Sequence, residues 1–180
     1  MRVISGKYKG RKIDGFEING TRPTMNRVKE SLFGMIQNKL EDSICLDLFA
    51  GTGSLGIEAM SMNSKKCYFV EKNPEMIKIL KNNIKGIENT VVISGDYKKA
   101  LKEFDEQFDI VFLDPPYDDN LITPAIKLLK DYNLLKDSAY IICEYEKEKI
   151  DCNLKIIKEK KYGNKNIRIY EYFNNKLLIK

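Results

Sequence analysis

An aspartate, two prolines and a tyrosine, Asp114-Pro115-Pro116-Tyr117, directly follow an apolar run at residues 108–113. The run predicts a buried strand. Because proline cannot continue a central strand and fixes φ, the chain must leave the sheet in a rigid turn. The carboxylate can accept hydrogen bonds from an amino group, and the aromatic ring can stack on a flat base. This stretch therefore predicts a site that binds an exocyclic amine on a planar heterocycle.

A glycine-rich turn comes earlier, between a predicted strand at residues 44–49 and a predicted helix at residues 54–63. Gly51, Gly53 and Gly56 match the G-x-G-x-x-G pattern, in which backbone and ligand approach closely. Glu71 follows Gly51 by about 20 positions, at the end of another apolar run, where an acid can hold ribose hydroxyls. The pattern alone leaves open a nicotinamide cofactor and a nucleoside cofactor such as S-adenosylmethionine.

Two further acids favour the methyl donor. Asp47 lies in the first strand, where it can face an ammonium group but would repel a pyrophosphate. Asp96 follows the strand at residues 90–94 and could accept a hydrogen bond from an adenine amino group. The predicted cofactor-binding residues are Asp47, Phe49, Gly51, Gly53, Glu71 and Asp96.

Alternating strands and helices must position these residues. Strands are predicted near residues 44–49, 66–71, 90–94, 108–113 and 138–144, and helices near 54–63, 74–86, 97–103 and 121–132. This order predicts an α/β fold with a mostly parallel sheet and helices on both faces. Residues 154–161 and 167–173 flank a Gly163-Asn164-Lys165 turn, which predicts an antiparallel hairpin at the carboxyl end.

The amino end predicts a small β-hairpin from residues 2–5 and 11–13, followed by a helix. We expect Thr24 to cap that helix, which runs to about residue 40. Its predicted apolar face comprises Val28, Leu32, Met35, Ile36 and Leu40.

Length and composition fit one domain. The chain has 180 residues, of which 43% are hydrophobic. We expect a basic hairpin extension at residues 1–20 and a catalytic core at residues 21–180. No apolar stretch approaches the roughly 18 residues that a membrane span needs, and no signal peptide is visible. We therefore expect a cytosolic monomer without membrane contact.

Metal chemistry is not expected. The chain has four cysteines and no histidine, and none of the cysteines has the C-x-x-C spacing of zinc sites. We expect buried, reduced thiols, and chemistry without a histidine base.

The formal net charge of +5 is concentrated at the amino end. Residues 1–30 hold eight basic and three acidic side chains, so the rest of the chain is balanced. Such a distribution is typical of an arm that binds nucleic acid, although a solvated charged surface would give the same count. The predicted RNA-binding residues are Arg2, Lys7, Lys9, Arg11, Lys12, Arg22 and Arg27.

Together these motifs resemble class I methyltransferases that act on exocyclic amines of nucleic-acid bases. The amino-terminal blocks Arg2-Val3-Ile4-Ser5-Gly6 and Arg22-Pro23-Thr24 resemble the bacterial RsmD family more specifically. The resemblance covers essentially the whole chain. It implies S-adenosylmethionine as cofactor and the N2 amine of one guanine in 16S ribosomal RNA as target, within a partly assembled small subunit.

The resemblance also implies roles for the proline turn. Asp114 and the Pro115 carbonyl would accept the two amine hydrogens, and Tyr117 would stack on the guanine.

Two other functions remain open. A DNA adenine-N6 methyltransferase could use the same Asp-Pro-Pro-Tyr motif, although such enzymes usually carry an added target-recognition domain. A non-enzymatic ribosome-assembly factor could use the basic arm alone, which would leave the cofactor motifs and Asp114 without a role.

Overall fold

The computed structural model describes residues 1–15, 22–116 and 120–174, with the backbone alone at residues 22–24. The strands in this part of the chain are β1 (Ile44–Asp47), β2 (Lys66–Glu71), β3 (Thr90–Ser94), β4 (Phe108–Leu113), β5 (Leu135–Tyr145), β6 (Lys155–Tyr162) and β7 (Lys165–Glu171). The helices are α1 (Arg22–Leu40), α2 (Ser54–Ser61), α3 (Pro74–Asn83), α4 (Tyr97–Glu103) and α5 (Ile122–Asp131). None of the helices described is long and apolar enough to cross a membrane.

The strands form one seven-stranded sheet in the order β3-β2-β1-β4-β5-β7-β6. The first five strands pair in parallel, and β7 pairs antiparallel with both β5 and β6. The predicted parallel sheet with an antiparallel carboxyl-terminal hairpin is confirmed. The strand order reverses between β1 and β4, and open α/β sheets bind ligands beside such a reversal, at the carboxyl ends of the strands.

Strand β4 shows how the two faces of the sheet are filled. Ile110 and Phe112 point into a core that α1, α2 and α3 cover, while Val111 and Leu113 point into a core that α4 and α5 cover. A strand sends successive side chains to opposite faces, so a strand buried on both faces is a continuous apolar run. This is why residues 108–113 were recognisable as a central strand.

Helix α1 begins earlier than the sequence predicted. Its first residue is Arg22, so Thr24 lies inside the first turn and does not cap the helix from outside. Pro23 is compatible with this start, because the first N–H groups of a helix have no partner within it. The predicted apolar face is confirmed, with Met35 half-buried and four residues buried: Val28, Leu32, Ile36 and Leu40.

The predicted amino-terminal hairpin is present and docks on α2. Arg2 and Lys12 form an antiparallel bridge. The backbone N–H of Lys7 donates to the Ser61 carbonyl at 2.9 Å, and that of Tyr8 donates to Ser61 Oγ at 2.9 Å. Gly6 lies between hairpin and helix with φ +79°, and a Cβ there would stand 1.8 Å from the Ser61 carbonyl oxygen. Only glycine fits this contact.

A buried ion pair fixes the hairpin to both α1 and α2. Lys29 Nζ lies 2.9 Å from Glu58 Oε2, with side chains 4% and 1% exposed. Lys29 also donates to the Arg2 carbonyl at 3.1 Å and to Ser54 Oγ at 3.2 Å. Glu58 accepts backbone N–H groups from the hairpin, including that of Ser5 at 2.8 Å.

Because both partners of this pair are fully hydrogen-bonded, the cost of burying them is largely offset. Burial lowers the pKa of Lys29, and Glu58 opposes that shift. Lys29, one of the eight basic residues at the amino end, is therefore a structural residue and contributes nothing to a basic surface.

Candidate active site

The predicted motifs meet at one cavity, which lies at the carboxyl ends of the parallel strands. Its volume is about 540 Å³. The structure places six of the predicted cofactor and catalytic residues in its lining: Phe49, Gly51, Glu71, Asp96, Asp114 and Pro115. Gly53 and Asp47 are not among the lining residues.

The turn from β1 to α2 depends on glycine at two positions. Gly53 has φ +85°, and a Cβ there would meet the Leu80 side chain at 2.4 Å. A Cβ on Gly56 would meet the ring of Phe69 at 2.3 Å and the Cys67 sulfur at 2.7 Å. The first glycine allows the left-handed turn, and the second lets α2 pack closely on β2. Together they hold Gly51 at the edge of the cavity.

Glu71 is fixed at the end of β2 by three backbone N–H groups. One carboxylate oxygen accepts from Gly51 at 2.7 Å, and the other accepts from Lys72 at 2.9 Å and Asn73 at 2.8 Å. This network ties the strand end to the glycine turn and orients the carboxylate before any ligand arrives. A carboxylate offers about four acceptor positions, so the first oxygen retains a lone pair for a ligand hydroxyl.

Asp47 is more deeply placed than the other predicted acids. It is 2% exposed, and one of its oxygens accepts the Gly56 N–H at 3.0 Å. Burial raises its pKa to about 7, Gly56 opposes the shift, and the charge of Glu71 adds to it. Asp47 is not among the residues that line the cavity, so its contact with a ligand ammonium stays a prediction.

Asp96 is exposed and caps α4, accepting the Lys98 N–H at 2.9 Å. The next residue, Tyr97, was not predicted as a site residue. Its ring lies 5.1 Å from the Phe49 ring, tilted by 53°, and both residues line the cavity. An aromatic residue directly after an acid at a strand end was the sequence signal that could have identified it.

The hydroxyl of Tyr97 is buried and has no hydrogen-bond partner among the residues described. Burial raises the pKa of this hydroxyl, and Asp96 adds to the shift. A buried polar atom without a hydrogen-bond partner is rare in a folded protein. The glycine turn and the oriented Glu71 fit a nucleoside donor such as S-adenosylmethionine.

Asp114 follows β4 and is half-buried. Burial raises the pKa of its carboxyl well above the usual range, and the charge of Glu144 raises it further, while Lys165 opposes the shift. Pro115 is buried and Pro116 is exposed, as expected for a rigid turn that leaves the sheet. Tyr117 lies outside the described residues, so its stacking role stays a prediction.

The hairpin carries most of the predicted RNA-binding residues. Arg2, Lys7, Lys9 and Lys12 are exposed, and Arg11 is half-buried. Lys7 Nζ lies 4.9 Å from the centroid of the Tyr8 ring, and the Arg11 guanidinium lies 5.9 Å from it. Basic groups around an aromatic ring suit contact with nucleic acid.

The other predicted basic residues differ in setting. Arg27 is exposed on α1, and the side chain of Arg22 lies outside the described residues. Arg2 and Arg11 also donate to the carbonyls of Gly10 and Lys85. These two guanidinium groups therefore hold the hairpin in shape as well as supplying charge.

Asn83 connects the hairpin to the glycine turn. Its side-chain oxygen accepts the Asp14 N–H at 3.0 Å, and its amide donates to the Thr52 carbonyl at 2.9 Å. The basic arm and the cofactor turn are thus held by the same buried amide.

The cysteines are free thiols. Cys45, Cys67 and Cys143 are buried and Cys152 is half-buried. Burial raises the pKa of all four thiols. Across residues 1–15, 22–116 and 120–174, no three potential metal ligands lie close enough together to hold an ion.

Known proteins match this chain along most of its length. The family model described as Conserved hypothetical protein 95 matches residues 1–171. The chain is 41% identical over 180 residues to ribosomal RNA small subunit methyltransferase D of Haemophilus influenzae, covering 95% of this chain and 93% of that protein. It is 33% identical over 177 residues to the protein of the same name from Escherichia coli K12, covering 95% and 89% respectively.

The fold agrees with this match. The solved structure of yhhF from Escherichia coli superposes with a TM-score of 0.85 at 31% identity, covering 96% of this chain and 98% of that one. A solved Haemophilus influenzae structure gives a TM-score of 0.80 at 36% identity, covering 96% and 98%. The chain therefore belongs to the RsmD family of methyltransferases, as its amino-terminal motifs predicted.

Proposed function

We propose that this protein transfers a methyl group from S-adenosylmethionine to the N2 amine of a guanine in 16S ribosomal RNA. The observation that carries the proposal is the shared cavity. Gly51 and Glu71, suited to the donor, and Asp114 and Pro115, suited to an amine, line the same space of about 540 Å³. Ribosomal RNA as the substrate class is supported by the names of the relatives.

The donor would be held at the strand ends of β1, β2 and β3. When bound, S-adenosylmethionine supplies a methyl group that its sulfonium has already activated. Glu71 would accept hydrogen bonds from the ribose hydroxyls, and Asp96 would accept one from the adenine amino group. The aromatic wall of Phe49 and Tyr97 would exclude water from the same region. Asp47, beneath the glycine turn, would provide a negative charge toward the donor's ammonium.

The acceptor presents the harder chemical problem, because the lone pair of an aromatic amine is delocalised into its ring. Asp114 and the Pro115 carbonyl would accept the two N–H hydrogens and so direct the lone pair toward the methyl group. Tyr117 would stack on the guanine. Much of the rate enhancement would come from aligning nitrogen, carbon and sulfur.

The target base must lie outside a helix to reach this cavity. The basic hairpin would hold the surrounding RNA through its phosphates, at a distance from the donor. We propose that the substrate is a partly assembled small subunit, in which the guanine is already displayed by folded RNA.

The test is transfer of labelled methyl groups to three substrates: naked 16S RNA, partly assembled small subunits and duplex DNA. We expect labelled N2-methylguanosine in RNA, with loss of transfer but near-normal donor affinity for Asp114→Ala. Asp131→Ala removes an exposed carboxylate at the far end of α5 and should leave transfer unchanged.

Two outcomes would contradict the proposal. Labelled N6-methyladenine in DNA would identify a DNA methyltransferase. Tight RNA binding without transfer to any of the three substrates would identify an assembly factor.

A further inference from the structure

A second carboxylate stands beside Asp114, outside the motifs that the sequence revealed. In the parallel pairing of β4 and β5, Leu113 is in register with Cys143. The next residues on the two strands are Asp114 and Glu144, and their charges interact. Glu144 is not among the described residues that line the cavity, whereas Asp114 is.

Glu144 is held in place from the other side. Strand β7 pairs antiparallel with β5, and its first residue, Lys165, forms an ion pair with Glu144. The Glu144 side chain is 12% exposed and that of Lys165 is 28% exposed. The Glu144–Lys165 pair is therefore part of the packed structure at the carboxyl end of β5, because the side chains of a loose surface pair would be far more exposed.

The charges that act on Asp114 come from three strands. Glu144 of β5 and Asp47 of β1 disfavour its ionised form, and Lys165 of β7 favours it. Burial disfavours the ionised form most strongly. A carboxylate in this setting binds a proton more readily than one in water.

Methyl transfer to an amine requires a group that accepts a proton. As the nitrogen–carbon bond forms and the carbon–sulfur bond breaks, the nitrogen acquires a positive charge. It must then lose one of its hydrogens as a proton to become a neutral methylamine. The nearest acceptor is the carboxylate that already accepts a hydrogen bond from that hydrogen, and a base works best when its pKa approaches the ambient pH.

We propose that Glu144, fixed by Lys165, is a positioning residue that makes Asp114 the acceptor of the proton released by the methylated amine. The proton passes from the nitrogen to the Asp114 carboxylate and then to solvent. This inference rests on the proposed function, because it assigns a step to the same amine.

The test uses two variants with opposite expected effects. Glu144→Gln removes a negative charge and should lower the pKa of Asp114. Lys165→Met removes a positive charge and should raise it. Glu159→Gln is the matched control, because Glu159 pairs with Arg168 in the adjacent β6–β7 hairpin and is not among the charges that act on Asp114.

Two measurements read the effect. The carboxyl of Asp114 is titrated directly by NMR in protein carrying ¹³C-labelled aspartate, with the signal assigned through Asp114→Asn. The acidic limb of the pH profile of kcat should move in the same direction: to lower pH for Glu144→Gln and to higher pH for Lys165→Met. A purely structural role would lower kcat without moving either titration.

The outcomes are separable. If the wild-type protein is active but Glu144→Gln shifts neither the titration of Asp114 nor the acidic limb of kcat, this inference alone is overturned. An equal shift in Glu159→Gln would overturn it as well. Wild-type protein that methylates no RNA would overturn the proposed function and this step together. If Lys165→Met fails to fold, the Glu144→Gln titration decides, because glutamine preserves the shape of the side chain.

Discussion

Replacing Asp47 by asparagine should stabilise the protein at alkaline pH. Asp47 is 2% exposed, and its pKa rises from the ordinary 3.8 to about 7 on folding, mainly through burial. The folded state thus binds this proton more tightly than the unfolded state does. The contribution of this proton to the free energy of unfolding is fully present below about pH 4 and is lost as the pH rises to about 7.

The magnitude follows from the shift. A difference of about three pH units, at about 1.36 kcal/mol each, corresponds to about 4 kcal/mol of destabilisation once Asp47 is ionised. Asparagine carries no charge and keeps an oxygen that can accept the Gly56 N–H. Relative to wild type, the free energy of unfolding of Asp47→Asn should therefore be higher by about 4 kcal/mol at pH 8 but by only about 2 kcal/mol at pH 5.

Urea unfolding of both proteins at the two pH values measures this difference. Asp131→Asn, a change at an exposed surface pair, should show no comparable trend. Equal stability of wild type and Asp47→Asn at pH 8, or a larger gain at pH 5, would refute the reasoning. If Asp47 also faces the donor's ammonium, the variant should bind S-adenosylmethionine more weakly while being more stable, which calorimetry would show.

Four further predictions concern the donor, the base and the arm. Glu71→Ala should weaken donor binding by about 1–3 kcal/mol through a missing hydrogen bond, measured by calorimetry; unchanged affinity would remove Glu71 from the donor site. Tyr117→Ala should lower kcat/KM strongly and Tyr117→Phe only mildly, because stacking needs the ring; equal losses would contradict stacking. Gly6→Ala should lower the free energy of unfolding by more than about 1 kcal/mol beyond the effect of Gly10→Ala, because both glycines have positive φ but only Gly6 faces Ser61. Equal losses of unfolding free energy, measured by urea unfolding, would show that the clash with Ser61 is relieved. Each RNA phosphate that the arm no longer neutralises should reduce the slope of log K against log salt by roughly 0.7 to 0.9. A variant with four alanine substitutions should therefore show a flatter salt dependence of RNA binding; the substituted residues are Lys7, Lys9, Arg11 and Lys12. An identical slope would mean that the arm is only a solvated surface.

The sequence predicted the parallel strands well because each is a short apolar run with a turn at its end. β2, β3 and β4 have the predicted bounds. β5 is longer than predicted, since its first residues, Leu135 to Ser138, include charged and polar side chains and a positive φ at Ser138. β5 pairs with β4 at Leu135 and again from Tyr140, with an irregularity between the two points, and no local pattern predicts such an interrupted start.

Residues whose role depends on distant pairing were not predictable in this way. Glu144 meets Lys165 because β7 inserts between β5 and β6, an order that no local pattern encodes. Lys29 counts as one more basic residue in the sequence, and only its approach to Glu58 shows that it is buried. Glycines and acids at strand ends, by contrast, carry their own local signal, so six of the sixteen residues that line the cavity could be predicted.

The docking of the hairpin has a consequence for the order of synthesis. Its partners on α2 and beyond come later in the chain: Ser5 bonds Glu58, 53 positions on, and Arg11 bonds Lys85, 74 positions on. At translation speeds of about 5–20 residues per second, the hairpin waits roughly 4–15 seconds before its last partner is made. During that time it is a short basic segment without its supporting helices, beside a particle made largely of RNA. The shape of the hairpin is therefore acquired only after the glycine turn and α3 have been synthesised, so a nascent chain cannot present the finished basic hairpin before it contains the glycine turn.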